Sequence, residues 1–239
     1  VYVVHPYGTH AASNGLLVGE NSNGDGRLIT HWKHRYPIAS YLIAIAVTNY
    51  SRFSDTYTGS YGSFEIQNYV YPEDSASLRK QAQLVLPVLE IFEELYGPYP
   101  FRKEKYGQAQ FGWGGGMEHQ TMTFLGRGAF NLEIIDHELA HQWFGNTITC
   151  GSWRDIWLNE GFATYSSGLI YERMSPDLYW PKWKYQNMSY VTMEPGGSVY
   201  CDDTTNVDRI FDSRLSYSKG ALVLNMLRWV VGDKVFFDG

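Results

Sequence analysis

The stretch HELAHQWFGN, residues 137–146, has two histidines four positions apart and a glutamate directly after the first. On a helix, side chains at positions i and i+4 leave the same face, so the imidazoles of His137 and His141 can bind one metal ion. Glu138 points about 100° away from His137, which directs its carboxylate to a water on the metal and not to the metal itself. Two unrelated surface histidines are the alternative. The spacing predicts a zinc-binding helix with Glu138 as general base.

The residues around this stretch predict where the helix begins and ends. Asn131 is a suitable N-cap, and Glu133 falls in the first turn, where the helix dipole favours a negative charge. Gly145 follows the last apolar residues and is expected to end the helix. We therefore predict a helix from about residue 132 to residue 143 or 144.

A catalytic zinc site uses three protein ligands and leaves the fourth position to water. Downstream, the segment DIWLNEGFATY supplies Glu160 near the start of a helix predicted over 159–173, and eighteen residues separate it from His141. That interval fits a helix end, a loop and a second helix that folds back on the first. Alternatively, Glu160 is only a helix-start residue favoured by the dipole. Two histidines and one carboxylate match known peptidase zinc sites, so we expect one Zn²⁺ on His137, His141 and Glu160.

Four motifs occur along the chain in a fixed order: GGGMEH (114–119), HELAHQWFGN (137–146), WLNEGFATY (157–165) and SYSKGA (216–221). Together they resemble the aminopeptidase N and leukotriene hydrolase family of zinc peptidases, which are gluzincins. The resemblance covers nearly the whole chain, since residues 12–17 and 31–47 look like the last part of that family's N-terminal β-domain. The family's usual motif is Gly-x-Met-Glu-Asn, and this chain has His119 in place of the asparagine.

The resemblance implies an α+β fold: a thermolysin-like metallopeptidase domain, with a mixed sheet plus helices, preceded by the C-terminal part of an all-β domain. We place the end of the β-domain at residues 1–70 and the catalytic domain at 71–239, truncated at its C-terminal side, with the family's C-terminal helical domain missing. The periodicity of apolar residues agrees with this fold. The segments YLIAIAVTNY (41–50) and SFEIQNYVY (63–71) have patterns typical of strands. Residues 74–96 have the pattern of a helix, which Pro87 could kink. Strands are expected at 105–111 and 120–125, and a last helix at 217–231.

The mechanism we predict is metal-assisted hydrolysis of a peptide bond. Zinc lowers the pKa of a water and polarises the scissile carbonyl, while Glu138 removes the proton and later delivers it to the leaving amine. The resemblance assigns stabilisation of the oxyanion to Tyr217, whose phenol can donate without being ionised at neutral pH. Thr164 and Asp155 are candidate acceptors for the second nitrogens of the zinc histidines.

The glycine loop WGGGMEHQ, residues 113–120, is predicted to bind the start of a substrate. A phosphate loop would place a lysine or a helix start after the glycines, whereas here a carboxylate follows. If the strand 105–111 edges the cleft, an extended peptide can add to it, and Gly115 and Gly116 let the two backbones approach. With Met117 they form the substrate-binding stretch, and Glu118 pairs with the free α-amino group. The alternative is a tight hairpin with an exposed glutamate.

Composition limits the possible partners. A net charge of -6 and a pI near 5.6 provide no basic field for nucleic acid. No apolar stretch approaches the ~20 residues that span a bilayer. Only two cysteines occur, so no disulfide framework is expected. The expected partner is a peptide with a free N-terminus, and many Tyr, Ser, Gly and Asn with few Lys lean towards a periplasmic or secreted location.

Other functions stay open at this point. A thermolysin-type endopeptidase would share the fold, although Glu118 in its motif argues against it. Epoxide hydrolysis, known in one branch of the resembled family, leaves no trace in these motifs. A non-catalytic relative could keep the fold as a peptide-binding module, but it would have no need of all five residues His137, Glu138, His141, Glu160 and Tyr217. We expect a second anchor for the substrate amine upstream of Val1.

Overall fold

A computed structural model describes residues 1–238 of the chain. In that range ten strands follow one another as β1 (Tyr2–Pro6), β2 (His10–Ser13), β3 (Leu16–Ser22), β4 (Arg27–Lys33), β5 (Ile45–Thr48), β6 (Ser51–Gly59), β7 (Gly62–Val70), β8 (Lys105–Phe111), β9 (Gly116–Met117) and β10 (Thr123–Gly126). The predicted strands at 63–71 and 105–111 are thus confirmed.

The first five strands form two small antiparallel sheets. One has the order β1-β4-β3, and the other pairs β2 with β5. The turn-rich segment at residues 23–26 links β3 to β4 as a hairpin. Trp32 on β4 is fully buried, and its indole nitrogen donates to the carbonyl of Ala11, which ties the two sheets together.

The larger sheet has five strands in the order β6-β7-β8-β10-β9 and is mixed. Strand β8 pairs in parallel with both β7 and β10, while β6 and β9 pair antiparallel at the two edges. The expected mixed sheet with helices is therefore confirmed. The expectation that strand 105–111 edges the cleft is wrong, because both its sides are paired; the edge strand is β9, which begins at Gly116.

This sheet is continuous across residue 70, where we placed the domain boundary, because β7 pairs with β8 over Glu65 to Tyr69. The division into 1–70 and 71–239 stays a prediction. On the continuity of the sheet, we propose that the catalytic domain starts near residue 51, at the first residue of β6.

Most of the second half is helical. The helices are α1 (Ser75–Ala82), α2 (Val85–Tyr96), α3 (Leu132–Ala140), α4 (Trp157–Met174), α5 (Tyr179–Thr192), α6 (Val207–Ile210), a π-helix at Ser213–Lys219, α7 (Gly220–Val231) and α8 (Asp233–Asp238). None of these helices is both long enough and apolar enough to span a membrane.

The predicted helix over 74–96 is two helices, and the break lies before Pro87. Pro87 is the third residue of α2, in the first helical turn, where a backbone N–H has no partner within the helix anyway. The proline therefore starts a helix more readily than it kinks one. The apolar faces of α1 and α2 pack on the five-stranded sheet, in a core that includes Leu89, Phe92 and Tyr106.

Helices α3 and α4 lie against each other and carry the histidines and Glu160 respectively. Helix α4 also crosses the start of α7 at very short range. A Cβ on Gly161 would lie 2.9 Å from the carbonyl carbon of Gly220, closer than such atoms pack. The two glycines therefore allow the backbones of α4 and α7 to touch. Gly161 follows Glu160 on α4, and Gly220 follows the π-helix at the start of α7.

Candidate zinc and substrate site

A cavity of about 970 Å³ lies between the β9 edge of the larger sheet and the helices α3, α4 and α5. Its walls include the side chains of Tyr41, Phe111, Met117, Phe124, Trp183, Tyr190 and Phe211, together with the predicted residues Gly116, Glu118, His137, Glu138, His141, Glu160 and Tyr217. Gly115 is not part of the wall but precedes Gly116 in the loop, with a φ of 77°. The structure thus gathers the predicted site residues around one cavity.

Three donor atoms form a nearly equilateral triangle in this cavity. The Nε2 atoms of His137 and His141 are 3.1 Å apart, and each lies 3.3 Å from Oε2 of Glu160. Zinc bonds of 2.0–2.2 Å in a tetrahedral arrangement place ligand atoms about 3.3–3.5 Å apart. This Oε2 is buried and accepts no hydrogen bond. Two imidazole nitrogens and an orphaned carboxylate oxygen at this spacing fit one zinc ion.

Local sequence explains how the histidines come together. The side chain of Asn131 caps α3 by accepting from the backbone N–H of Ile134, as predicted. Helix α3 ends at Ala140, earlier than expected, and turns cover the next residues. His141 stays on the histidine face, because its backbone N–H still bonds the carbonyl of His137.

The orientation of His141 is set by the backbone, which the sequence did not reveal. Its Nδ1 lies 3.0 Å from the carbonyl oxygen of Phe144, so Nδ1–H donates there and Nε2 keeps its lone pair for the metal. Because the partner of Nδ1 is this carbonyl, neither Thr164 nor Asp155, the two candidates from the sequence, is the acceptor for His141. The hydroxyl of Thr164 is buried without a hydrogen-bond partner.

The cavity is strongly anionic. Glu118, Glu138 and Glu160 are all at least 90% buried, and no lysine or arginine is among the wall residues of the described chain. Burial alone would lower the pKa of His141, but the carboxylates of Glu160, Glu118 and Glu138 outweigh it and raise that pKa to about 10. The same carboxylates make the cavity favourable for cations.

Glu138 is placed differently from the three candidate zinc donors. Its Oε2 is buried and without a hydrogen-bond partner, and burial raises the pKa of Glu138 well above its ordinary value. The glycine loop covers it closely, since a Cβ on Gly116 would lie 2.5 Å from the Cγ of Glu138. The carboxylate thus sits at the cavity wall with a free oxygen and an increased tendency to take up a proton.

Glu118 also lines this cavity. One carboxylate oxygen of Glu118, one carboxylate oxygen of Glu138 and one ring nitrogen of His141 all lie within 4.8 Å of one another. Two amides hold its backbone: the carbonyl accepts from Nδ2 of Asn146 at 2.8 Å and from Nε2 of Gln142 at 3.4 Å. Burial raises the pKa of Glu118, while proximity to His141 opposes that shift.

Tyr217 lies on the π-helix, a form of helix that is often found at functional sites. Its ring stacks on that of His137 with a centroid distance of 5.8 Å and an interplanar angle of 18°. Burial and the nearby Glu160 carboxylate raise the pKa of Tyr217, so the phenol stays protonated and can donate. Asp212 caps this segment by accepting from the backbone N–H of Leu215 at 2.8 Å.

Comparison with known proteins agrees with the geometry. The profile of the Peptidase family M1 domain matches residues 82–239, more than half of the chain. The chain is 30% identical over 254 residues to aminopeptidase M1 of Arabidopsis thaliana and 26% identical over 250 residues to endoplasmic reticulum aminopeptidase 1 of Homo sapiens. These alignments cover 95% and 96% of the chain but only 28% and 26% of the relatives, so it spans about a quarter of their length.

Solved structures extend the match to the whole fold. An M1 zinc metallopeptidase from Deinococcus radiodurans superposes on all of the chain with a TM-score of 0.89 at 26% sequence identity, over 54% of that structure. A mutant of the enzyme from the same species, bound to a Tyr-Ser-Ala substrate, superposes with a TM-score of 0.83. The zinc-compatible donor triangle, the matching profile and these superpositions agree, and the chain therefore belongs to Peptidase family M1.

Proposed function

We propose that this chain carries the catalytic centre of a zinc aminopeptidase, which hydrolyses the N-terminal residue from a peptide. The observation that supports this best is the buried carboxylate of Glu118, whose oxygen is within 4.8 Å of donor atoms on Glu138 and His141. A substrate α-amino group is cationic or nearly so at neutral pH and pairs with a carboxylate. An endopeptidase needs space there for more substrate backbone, so an anion at this position favours an exopeptidase.

The charge of the cavity supports the same conclusion. Three buried carboxylates face the cavity, with no lysine or arginine on the described wall, and buried charge is stable only when paired. A zinc ion supplies two positive charges and a substrate ammonium group one. The cavity is therefore complementary to a metal ion together with a peptide N-terminus.

In this proposal His137, His141 and Glu160 hold the zinc ion. When bound, the ion polarises the scissile carbonyl and makes a water acidic enough to lose a proton near neutral pH. Glu138 takes that proton, helped by the burial that raises its pKa, and then gives it to the nitrogen of the leaving amine. One carboxylate thus acts first as base and then as acid.

The other predicted residues orient the substrate. Tyr217 donates its phenolic hydrogen to the oxygen that becomes negative during attack. Gly116 and Met117 form the edge strand of the sheet beside the cavity and Gly115 leads into it, so an extended peptide can pair with the strand that begins at Gly116. Glu118 then stops the chain one residue before the scissile bond.

The relatives support a peptidase but not a particular substrate. The related proteins of Arabidopsis and Homo sapiens are named aminopeptidases, and one structure of the Deinococcus enzyme holds a tripeptide substrate. Because the chain covers about a quarter of the curated relatives, activity and substrate choice of the whole protein are part of this proposal.

The test uses the longest natural form of the protein, loaded with zinc. Its activity is measured on aminoacyl reporter substrates with a free amine and on the same substrates with an acetylated amine, before and after chelation and after zinc is returned. We expect cleavage of the free-amine substrates only, loss of cleavage with chelator, and recovery with zinc.

Each other outcome points to a different function. Equal cleavage of free and acetylated substrates, or internal cuts in a long blocked peptide, would show an endopeptidase. Absence of both zinc and cleavage, with retained affinity for peptides, would show a binding module.

A further inference from the structure

Thr121 has an unusual backbone conformation directly after the loop that carries Glu118. Its φ is 64°, and it is the one non-glycine residue with positive φ in the described range 1–238. A β-branched residue is disfavoured there, so surrounding contacts must hold it in place. Thr121 is also completely buried. The loop is therefore fixed at this point by long-range contacts and not by local preference.

Every polar group of Thr121 has a partner from a different part of the fold. Its N–H donates to Oε1 of Gln142 at 2.9 Å, next to the zinc ligand His141. Its hydroxyl oxygen accepts from the backbone N–H of Gly15 at 2.8 Å. Its carbonyl accepts from Nζ of Lys105 at 2.7 Å. Three separate elements thus meet at one residue.

Lys105 is the least expected of these partners, because it is a fully buried lysine on the central strand β8. A buried ammonium group is costly unless it is paired or hydrogen-bonded. Its Nζ lies over the ring of Trp32 at 5.3 Å, and its hydrogen bonds within residues 1–238 all go to Thr121. Glu104 and Glu65 are the carboxylates near enough to act on its charge. The side chain of Lys105 therefore serves to hold the carbonyl of Thr121.

Gln142 connects Thr121 to Glu118. Its amide accepts from the N–H of Thr121 while its NH₂ group faces the carbonyl of Glu118 at 3.4 Å. A shift of Thr121 is therefore passed to the backbone that carries the Glu118 carboxylate. Lys105 is not among the residues that line the cavity, and its side-chain hydrogen bonds lead to the site through this loop.

We propose that Lys105 is a positioning residue for amine recognition, which fixes the Glu118 carboxylate by holding the carbonyl of Thr121. The inference rests on the proposed aminopeptidase function. It separates two roles: the zinc donors and Glu138 perform the bond cleavage, and Lys105 determines how accurately the substrate amine is placed. Misplacement of a binding group by a fraction of an ångström weakens binding without removing any reacting group.

The test compares Lys105→Met, which keeps an unbranched apolar stem but has no donor in place of Nζ, with the parent protein in its zinc-loaded, longest natural form. On a free-amine leucine reporter we expect KM to rise about tenfold with kcat changed by less than about threefold. The inhibition constant of the product L-leucine should rise by a similar factor, and zinc content should stay at one ion per chain.

Two further variants distinguish positioning from general damage. Gln108→Met, on the same strand as Lys105, removes buried hydrogen bonds to Asn68 and to the carbonyl of Ala82, neither of which belongs to the loop, and should leave KM unchanged. In a Glu118→Gln background, Lys105→Met should have almost no further effect on KM, because the two residues act in series. An equal rise in KM with and without Glu118, or an unchanged KM in the single variant, would overturn the proposal.

Should Lys105→Met fail to fold, Lys105→Gln carries the same test. Glutamine keeps a polar donor on this side chain but is shorter than lysine, so its amide does not reach the Thr121 carbonyl as Nζ does. We expect a smaller rise in KM than for Lys105→Met, again absent in the Glu118→Gln background, and an unchanged KM would contradict the proposal. Since the parent protein's preference for free amines is measured separately, a negative result here does not depend on whether the protein is an aminopeptidase.

Discussion

The zinc side and the amine side of the cavity are built by different means. On the zinc side, His137, Glu138 and His141 lie within two helical turns, and their arrangement follows from the period of one helix. On the amine side, the loop that carries Glu118 is held by Lys105 on β8, by Gln142 after α3 and by the N-terminal strands through Gly15. One side is local in the sequence, and the other depends on contacts between residues up to 106 positions apart.

This difference predicts different consequences for mutation. A change on the zinc side removes a reacting group and should reduce turnover. A change on the amine side moves a binding group and should reduce affinity and selectivity while the chemistry persists.

The largest effect should come from Glu138→Gln, which keeps the shape of the side chain but removes its ability to take up a proton. We expect kcat to fall by roughly 10³–10⁴-fold, the usual contribution of a general acid–base group, with zinc content unchanged. Steady-state kinetics and metal analysis of the same sample measure both. Retention of more than a tenth of the parent activity would contradict the role given to Glu138.

Next in size should be Glu118→Gln, which neutralises the amine side. Loss of one partner from a buried charge pair should lower kcat/KM on free-amine substrates by about 10²-fold. Activity on acetylated substrates should be unchanged or higher, so the preference for a free amine shrinks. Glu133→Gln is the matched control, because Glu133 lines the same cavity at the start of α3. If both variants change the preference equally, general charge and not Glu118 is responsible.

A moderate effect on stability is expected from Lys105. Burial lowers the pKa of Lys105 from 10.5 to about 7, so between these values the unfolded chain binds a proton that the folded protein does not. The free energy of unfolding should therefore rise with pH over this interval, by up to about 1.4 kcal/mol per pH unit from this group. Denaturant unfolding of the parent and of Lys105→Met at several pH values isolates the contribution. Parallel curves for the two proteins would show that Lys105 titrates normally.

The smallest effect should come from His119→Asn, which restores the asparagine of the family motif. Burial lowers the pKa of His119, so the imidazole is already neutral at pH 7, and its ring packs edge-on against Phe124 at 4.7 Å. We expect kcat/KM profiles of parent and variant to agree within about twofold above pH 7 and to diverge only in acid, where His119 gains a charge that repels the substrate ammonium. An optimum displaced above pH 7 would show that His119 is charged in the working enzyme.

The two sides also differ in what the sequence could predict. Histidine spacing, the Asn131 cap and the order of the motifs indicated the zinc helix and Glu160, because these features depend on short-range geometry. The hydrogen-bond acceptor for Nδ1 of His141 is a main-chain carbonyl, and a pattern of residue types cannot predict such a contact. The sequence did not indicate that Lys105 is buried either, since a lysine in a strand is normally exposed.

Strand order was the main feature of the fold that the sequence left open. The segment at 105–111 was recognised as a strand, but its place in the middle of the sheet depends on two parallel crossovers. Its side chains are buried on both faces, including the polar side chains of Gln108 and Gln110, as expected of a strand inside a sheet. The π-helix at 213–219 was likewise missed, because it continues the pattern of the helix that follows.

The contact between Gly161 and Gly220 has a consequence for the placement of two predicted site residues. It lets α4, which carries Glu160, pack directly on the start of α7, which follows the π-helix that carries Tyr217. A methyl group on Gly161 would meet the carbonyl carbon of Gly220 at 2.9 Å, and one on Gly220 would meet the Cα of Gly161 at 3.0 Å, so the helices would have to shift. The relative position of the two proposed functional groups thus depends on two residues that have no functional group of their own.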